Sequence, residues 1–258
     1  LSNFYTSGTQ LAKEGGAKYF VDIYNADPAT TSSAEVQFSI SYGHVSGAGS
    51  PTLTQQNTST QSTKAVYMQL KNLLLEPTDA KFSFITAAHT GSGDQIYAIS
   101  FARSRYKGYV DPGNWEFTLS GSKGHFTFID DSSQTLGAKA EGRKSGVSFN
   151  VSSGSLSAGG ATLATNGTYT SHEHDSGVAS ANSGFGKFYP QKGIIILNAD
   201  VIDTHVGFAI RDNGSNVALA VDAFDSNASG GTSAGESARE ATAFMSVFDA
   251  AGAVGHTA

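Results

Sequence analysis

The chain has 258 residues, of which 30 are glycine, 15% are charged and none is cysteine, and its formal net charge is −6. Without cysteine no disulfide framework or Cys-based zinc site can form, and 39% hydrophobic residues with 10% aromatics exclude a disordered chain. The low charge argues against coiled coils, and no apolar run nears the roughly 20 residues of a membrane-spanning helix, so membrane insertion is not expected.

The chain opens at Leu1 in place of an initiator Met, which points to a processed or incomplete start, and no secretory signal pattern stands there. Two-residue periodicity then dominates. It begins with Tyr19, Val21 and Ile23, and continues with Val36, Phe38, Ile40 and Tyr42, each set reading as a strand with one buried face. From Thr63 the apolar positions Val66, Tyr67, Leu70, Leu73 and Leu74 shift to helical spacing, with Ser62 or Thr63 as N-cap and Pro77 as the stop. This predicts one helix packed over a sheet, its Leu73-Leu74-Leu75 triplet belonging to the core.

Alternation returns in Tyr97, Ile99 and Phe101, in Trp115, Phe117 and Leu119, in Phe126 and Phe128, and in Val147, Phe149 and Val151. Gly91-Ser92-Gly93-Asp94 and Asp111-Pro112-Gly113-Asn114 read as turns between these strands, and Asp130-Asp131 as a turn after one. If the strand through Phe101 continues, Arg103, Arg105 and Lys107 share one of its faces, solvated in preference to a binding patch. The pattern predicts a mainly β protein, an antiparallel β-sandwich with one packed helix, over residues 1–151.

Residues 152–184 are rich in Gly, Ser, Ala and Thr and read as a linker or long loop. Residues 185–258 then form a smaller mixed α/β module. It holds a strand buried on both faces, Gly193-Ile194-Ile195-Ile196-Leu197, and two weak helices, at 215–225 (Val217, Val221, Phe224) and 236–250 (Ala241, Met245, Phe248). Residues 1–150 balance twelve basic with twelve acidic side chains, so the four basic and ten acidic ones of 151–258 carry the whole imbalance. With no basic run to release counterions, nucleic acid is not an expected partner.

Candidate chemistry is sparse. His172-Glu173-His174-Asp175 is the densest polar cluster, and on a strand His172 and His174 would face one way, as in sites for zinc, nickel or iron completed by a third ligand. A polar loop also collects such residues, and neither a metal nor another cofactor is assigned. Gly231-Thr232-Ser233-Ala234-Gly235 has the form of a hydrolase nucleophile turn, but the polar residues before it are no strand, and only His256 follows as a base. Asn166-Gly167-Thr168 and Asn57-Thr58-Ser59 are sequons that the abundance of Asn, Ser and Thr explains. No catalytic residue is assigned.

Several segments together resemble a family of virion structural proteins of contractile-tailed phages, notably cyanophages. They are Phe20-Val21-Asp22-Ile23-Tyr24-Asn25, Ala34 through His44, Lys71-Asn72-Leu73-Leu74-Leu75, Asp94 through Ile99, Arg103 through Lys107, Asp111 through Glu116, and Phe188-Tyr189-Pro190 leading to Gly193 through Asn198. The resemblance spans roughly residues 18–200, and the family continues into further β-structure where this chain ends. It implies a tail or baseplate component without enzymatic activity, assembled in many copies with itself and other virion proteins in the host cytoplasm. Segments 43–63 and 152–184 would then be ordered by neighbouring chains. The alternative is a carbohydrate-binding or adhesin sandwich using Tyr106, Tyr109 and Trp115 as a stacking platform.

Overall fold

A computed structural model of the chain describes residues 5–6, 20–47, 62–85, 90–121, 124–132, 141–143, 146–157, 160–163 and 183–202. These residues form a mainly β, antiparallel fold with one long helix. The strands are β1 (Tyr5–Thr6), β2 (Phe20–Tyr24), β3 (Val36–His44), β4 (Phe82–Ile85), β5 (Thr90–Gly93), β6 (Gln95–Phe101) and β7 (Phe117–Gly121). They continue with β8 (Gly124–Asp130), β9 (Glu141–Arg143), β10 (Gly146–Ser157), β11 (Gly160–Leu163), β12 (Ser183–Tyr189) and β13 (Ile194–Asn198). Helix α1 spans Ser62–Leu74 and a single turn, α2, spans Ala199–Ile202.

One sheet runs in the order β1-β2-β3-β6-β13-β12-β10-β8-β7, with β9 and β11 also paired to β10, while β4 and β5 form a separate two-stranded ladder. Its chain order is therefore broken in the middle. β13 sits between β6 and β12, pairing Ile195 with Ile99 on one side and with Phe188 on the other. All five of its residues are buried, as the unbroken apolar run predicts. Residues 183–202 thus complete the same sheet as the strands before residue 151. The expected linker start at 152 falls inside β10, where Ser152 pairs with Ile129 and with Ser183. Small side chains there mark close packing rather than looseness, since Ser152 and Ser153 are both buried. The two weak helices at 215–225 and 236–250 lie outside the described residues.

Alternate residues of the central strands feed two cores. Tyr97, Ile99, Ile195 and Leu197 join an aromatic core with Phe128, Phe149, Phe185 and Phe188, in which Phe128 and Phe185 meet edge to face at 5.1 Å. Ile96, Ala98, Ile194 and Ile196 point the other way, to a second core closed by α1 and the β4–β5 ladder. The helix buries Thr63, Tyr67 and Leu74 against it. Leu75 is buried as well, but Leu73 stays 45% exposed, so the triplet divides between core and surface. Gly91-Ser92-Gly93, expected as a turn, is instead strand β5, with Gly93 opposite Phe82 and Gly91 opposite Phe84. A side chain on Gly93 would collide with the Phe82 carbonyl, so only this residue lets the ladder close so tightly.

Tyr67 bolts the helix to that ladder. Its hydroxyl donates to the Gly93 carbonyl and accepts from the Phe82 N–H at 3.1 Å, both within the core. Burial, reinforced by the nearby Asp94 carboxylate and offset in part by the Phe82 N–H, pushes the phenol up to about 12. The phenol is neutral when protonated, so a raised folded value favours folding below pH 10, and that advantage disappears as pH rises from about 10 to 12. On the order of 2–3 kcal/mol should be lost over that window in the native chain. Tyr67→Phe should cost about 1–3 kcal/mol at pH 8 by stranding two buried backbone groups, and should lack this alkaline loss. Urea titrations of both proteins at pH 8 and pH 11.5 would test it, since the gap between them must narrow at the higher pH.

Candidate interaction surface

The registers put the strand ends Tyr24, Val36, Phe101, Tyr189 and Ile194 at the same end of the sheet, so the loops 25–35, 102–116 and 190–193 form a single layer there. Backbone hydrogen bonds fix this layer to the strands. The Phe101 N–H reaches the Gly193 carbonyl at 2.8 Å, the Ala102 N–H reaches that of Gln37 at 2.9 Å, and the Val110 N–H reaches that of Pro190 at 3.0 Å.

β6 ends at Phe101. Arg103–Arg105 turn into a short 3-10 helix, so Arg103, Arg105 and Lys107 do not share a strand face, which corrects the sequence expectation. The ladder to β13 runs out here, because that strand starts at Ile194, opposite Ser100. Each cation then acts differently. Arg103 lies 4.5 Å over the Tyr106 ring and donates to the Gly108 carbonyl at 3.2 Å, bracing its own loop. Arg105 pairs with Glu35, tying the 102–116 loop to the 25–35 loop. As a largely exposed pair it contributes at most about 1 kcal/mol. Lys107 is exposed on the bend that follows the 3-10 helix.

The aromatic residues proposed as a stacking platform also separate. Tyr106 packs its ring against Gly193 and donates its hydroxyl to the Lys192 carbonyl at 2.8 Å. Trp115 is half-buried, stacked on Phe117 at 5.7 Å and edge-on to Phe188 at 5.1 Å. Only Tyr109 projects, with 57% of its surface exposed.

Beneath the layer lies a pair of carboxylates, Asp130 and Asp131, whose sequence reading was a turn after a strand. Both are buried, because each accepts backbone N–H bonds that would otherwise have no partner. Asp130 receives the Gly113 N–H at 2.8 and 3.0 Å and the Ser132 N–H at 3.0 Å. Asp131 receives both the backbone N–H and the side-chain amide of Asn150 at 2.9 Å. Gly113 has φ of 75°, which the Asp111-Pro112-Gly113-Asn114 turn requires and which favours glycine. The turn is thereby pinned to β8.

The arrangement is a hydrogen-bonded layer of loops with an exposed Tyr and exposed cations, a composition suited to protein docking. Among the described residues no group of three His, Asp or Glu side chains is placed to hold a metal ion. His172 and His174, the Gly231–Gly235 motif with Ser233, His256 and the two sequons lie outside the described residues. Glu35 and Lys192 are the contributors that sequence reasoning missed. No local signal marks them, because Glu35 and Lys192 meet the loop only through pairings dozens of residues apart. Comparison with known proteins finds no matching family model, no matching curated protein and no matching solved structure.

Proposed function

We propose that the chain is a structural component of a phage virion, of the contractile tail or baseplate, acting by assembly in many copies. One observation carries this reading. The segments that resemble the virion family are scattered from residue 20 to residue 198, and apart from Lys71–Leu75 at the end of α1 they fall on β2, β3, β6, β12 and β13, which are consecutive in the sheet, and on the two turns of the loop layer above them. A resemblance of shared composition alone would have no reason to converge on one block.

The loop layer supports the same reading, since a repeated docking surface works best when its ordering entropy has been met before the partner arrives. We read the fold as sandwich-like in the finer sense that the strands flanking β13 on either side contribute to one aromatic core. The carbohydrate-binding alternative has less support, because Tyr106 and Trp115 are occupied within the fold.

Particles of the phage encoding the chain should contain it at an integer multiple of the tail symmetry, measured by quantitative mass spectrometry. Its absence from purified tails would overturn the proposal. Tyr109→Ala should leave the melting temperature within about 2 °C, as a surface change of under about 0.5 kcal/mol, and weaken incorporation at least about tenfold. Unchanged incorporation would remove Tyr109 from the docking surface.

A further inference from the structure

The outward arc of α1 is uncharged. Ala65, Met68, Gln69, Asn72 and Leu73 are its exposed residues, and at 3.6 residues per turn they cover an arc of about 140° opposite Tyr67 and Leu74. Met68 and Leu73, at 39% and 45% exposure, are two of the three exposed large hydrophobic side chains among the described residues. The helix's only charges, Lys64 and Lys71, flank this arc on one side. A solvated helix would carry its charges across the outward face.

We propose that residues 236–250 of the same chain pack on this arc. Their apolar positions Ala241, Met245 and Phe248 follow helical spacing, and Glu236, Glu240 and Asp249 outnumber Arg239, which complements Lys64 and Lys71. The exit of the chain favours this occupant over others. Asn198 pairs with Ile96 at the start of β6, α2 follows at once and touches β5, and Tyr67 is bonded to Gly93 at the end of β5. The chain therefore leaves Ile202 at the end of the sheet to which α1 is bolted. The stretch between Ile202 and Glu236 can span about 100 Å when extended, so reach does not limit the contact. This inference is independent of the virion reading.

Met68 and Met245 are the only two methionines, one on each side of the proposed contact. In the unaltered chain both should be oxidised by hydrogen peroxide at least about tenfold more slowly than free methionine, as followed by peptide mass mapping. Met68 reacting at the free rate in the folded protein would overturn the proposal. The double variant Met68→Cys with Met245→Cys, in a chain otherwise free of cysteine, should form a disulfide within one chain when oxidised glutathione is added. Tyr109→Cys with Met245→Cys should stay unlinked. Disulfide-linked dimers would assign the arc to a second copy and overturn the proposal, as would thiols that remain free. If the double variant fails to fold, the oxidation rates of the unaltered chain decide.

Discussion

Replacing Gly186 with Ala should remove about 4 kcal/mol or more of stability, a large part of the 5–15 kcal/mol typical of a folded domain. Gly186 lies in β12 opposite Leu197 of β13. A Cβ at this position would stand 2.2 Å from the Ile196 carbonyl oxygen and 3.0 Å from the Leu197 side chain. Relief by movement is closed off, because β13 is hydrogen-bonded on both edges and buried on both faces. The nearest atoms also belong to backbone rather than to the end of a flexible side chain. Gly108→Ala is the control, since a Cβ there meets nothing within 4 Å, and it should change stability by under about 0.5 kcal/mol. Urea midpoints of the two variants would settle the matter, and equal midpoints would show that the sheet centre yields more easily than its contacts imply.

Asp130→Ala should cost about 3 kcal/mol and lower the melting temperature by about 6–12 °C. The carboxylate accepts the N–H groups of Gly113 and Ser132, and truncation leaves two donors beneath the loop layer with no acceptor. Asp130→Asn keeps one acceptor oxygen but turns an amide toward a donor, so roughly half the loss is expected. Calorimetry would read both values. An alanine variant as stable as the parent would mean that water replaces the carboxylate and that the turn is held by other contacts.

The strands and the helix could be read from local periodicity because each is set by which side chains alternate toward a core. Val36 through Tyr42 and Ile194 through Leu197 announce their burial in this way. Partner choice was not legible, because nothing within Ile194–Asn198 states that β6 and β12 will flank it. The serines of β10 misled for a related reason. Ser152 and Ser153 are small where neighbours are large, and composition cannot distinguish a linker from a tightly filled strand. The surface was legible only as a list of residues. Arg103, Arg105 and Lys107 were visible, but the end of β6 at Phe101 goes with the start of β13 at Ile194, far away in sequence. Asp130 and Asp131 were legible only as a turn for the same reason, since the N–H groups that they accept from belong in part to Gly113 and Asn150.

The placement of β13 also sets a timetable for biosynthesis. β6 is finished at Phe101, whereas its partner strand begins about 90 residues later, at Ile194. At ribosomal rates of about 5–20 residues per second, that edge waits on the order of 5–20 s for its neighbour. During this interval Tyr97 and Ile99 lie on an open, apolar edge, which other nascent chains can pair with. Yield in a cell should therefore respond more to slowed elongation and to chaperone supply than the stability of the finished protein would suggest.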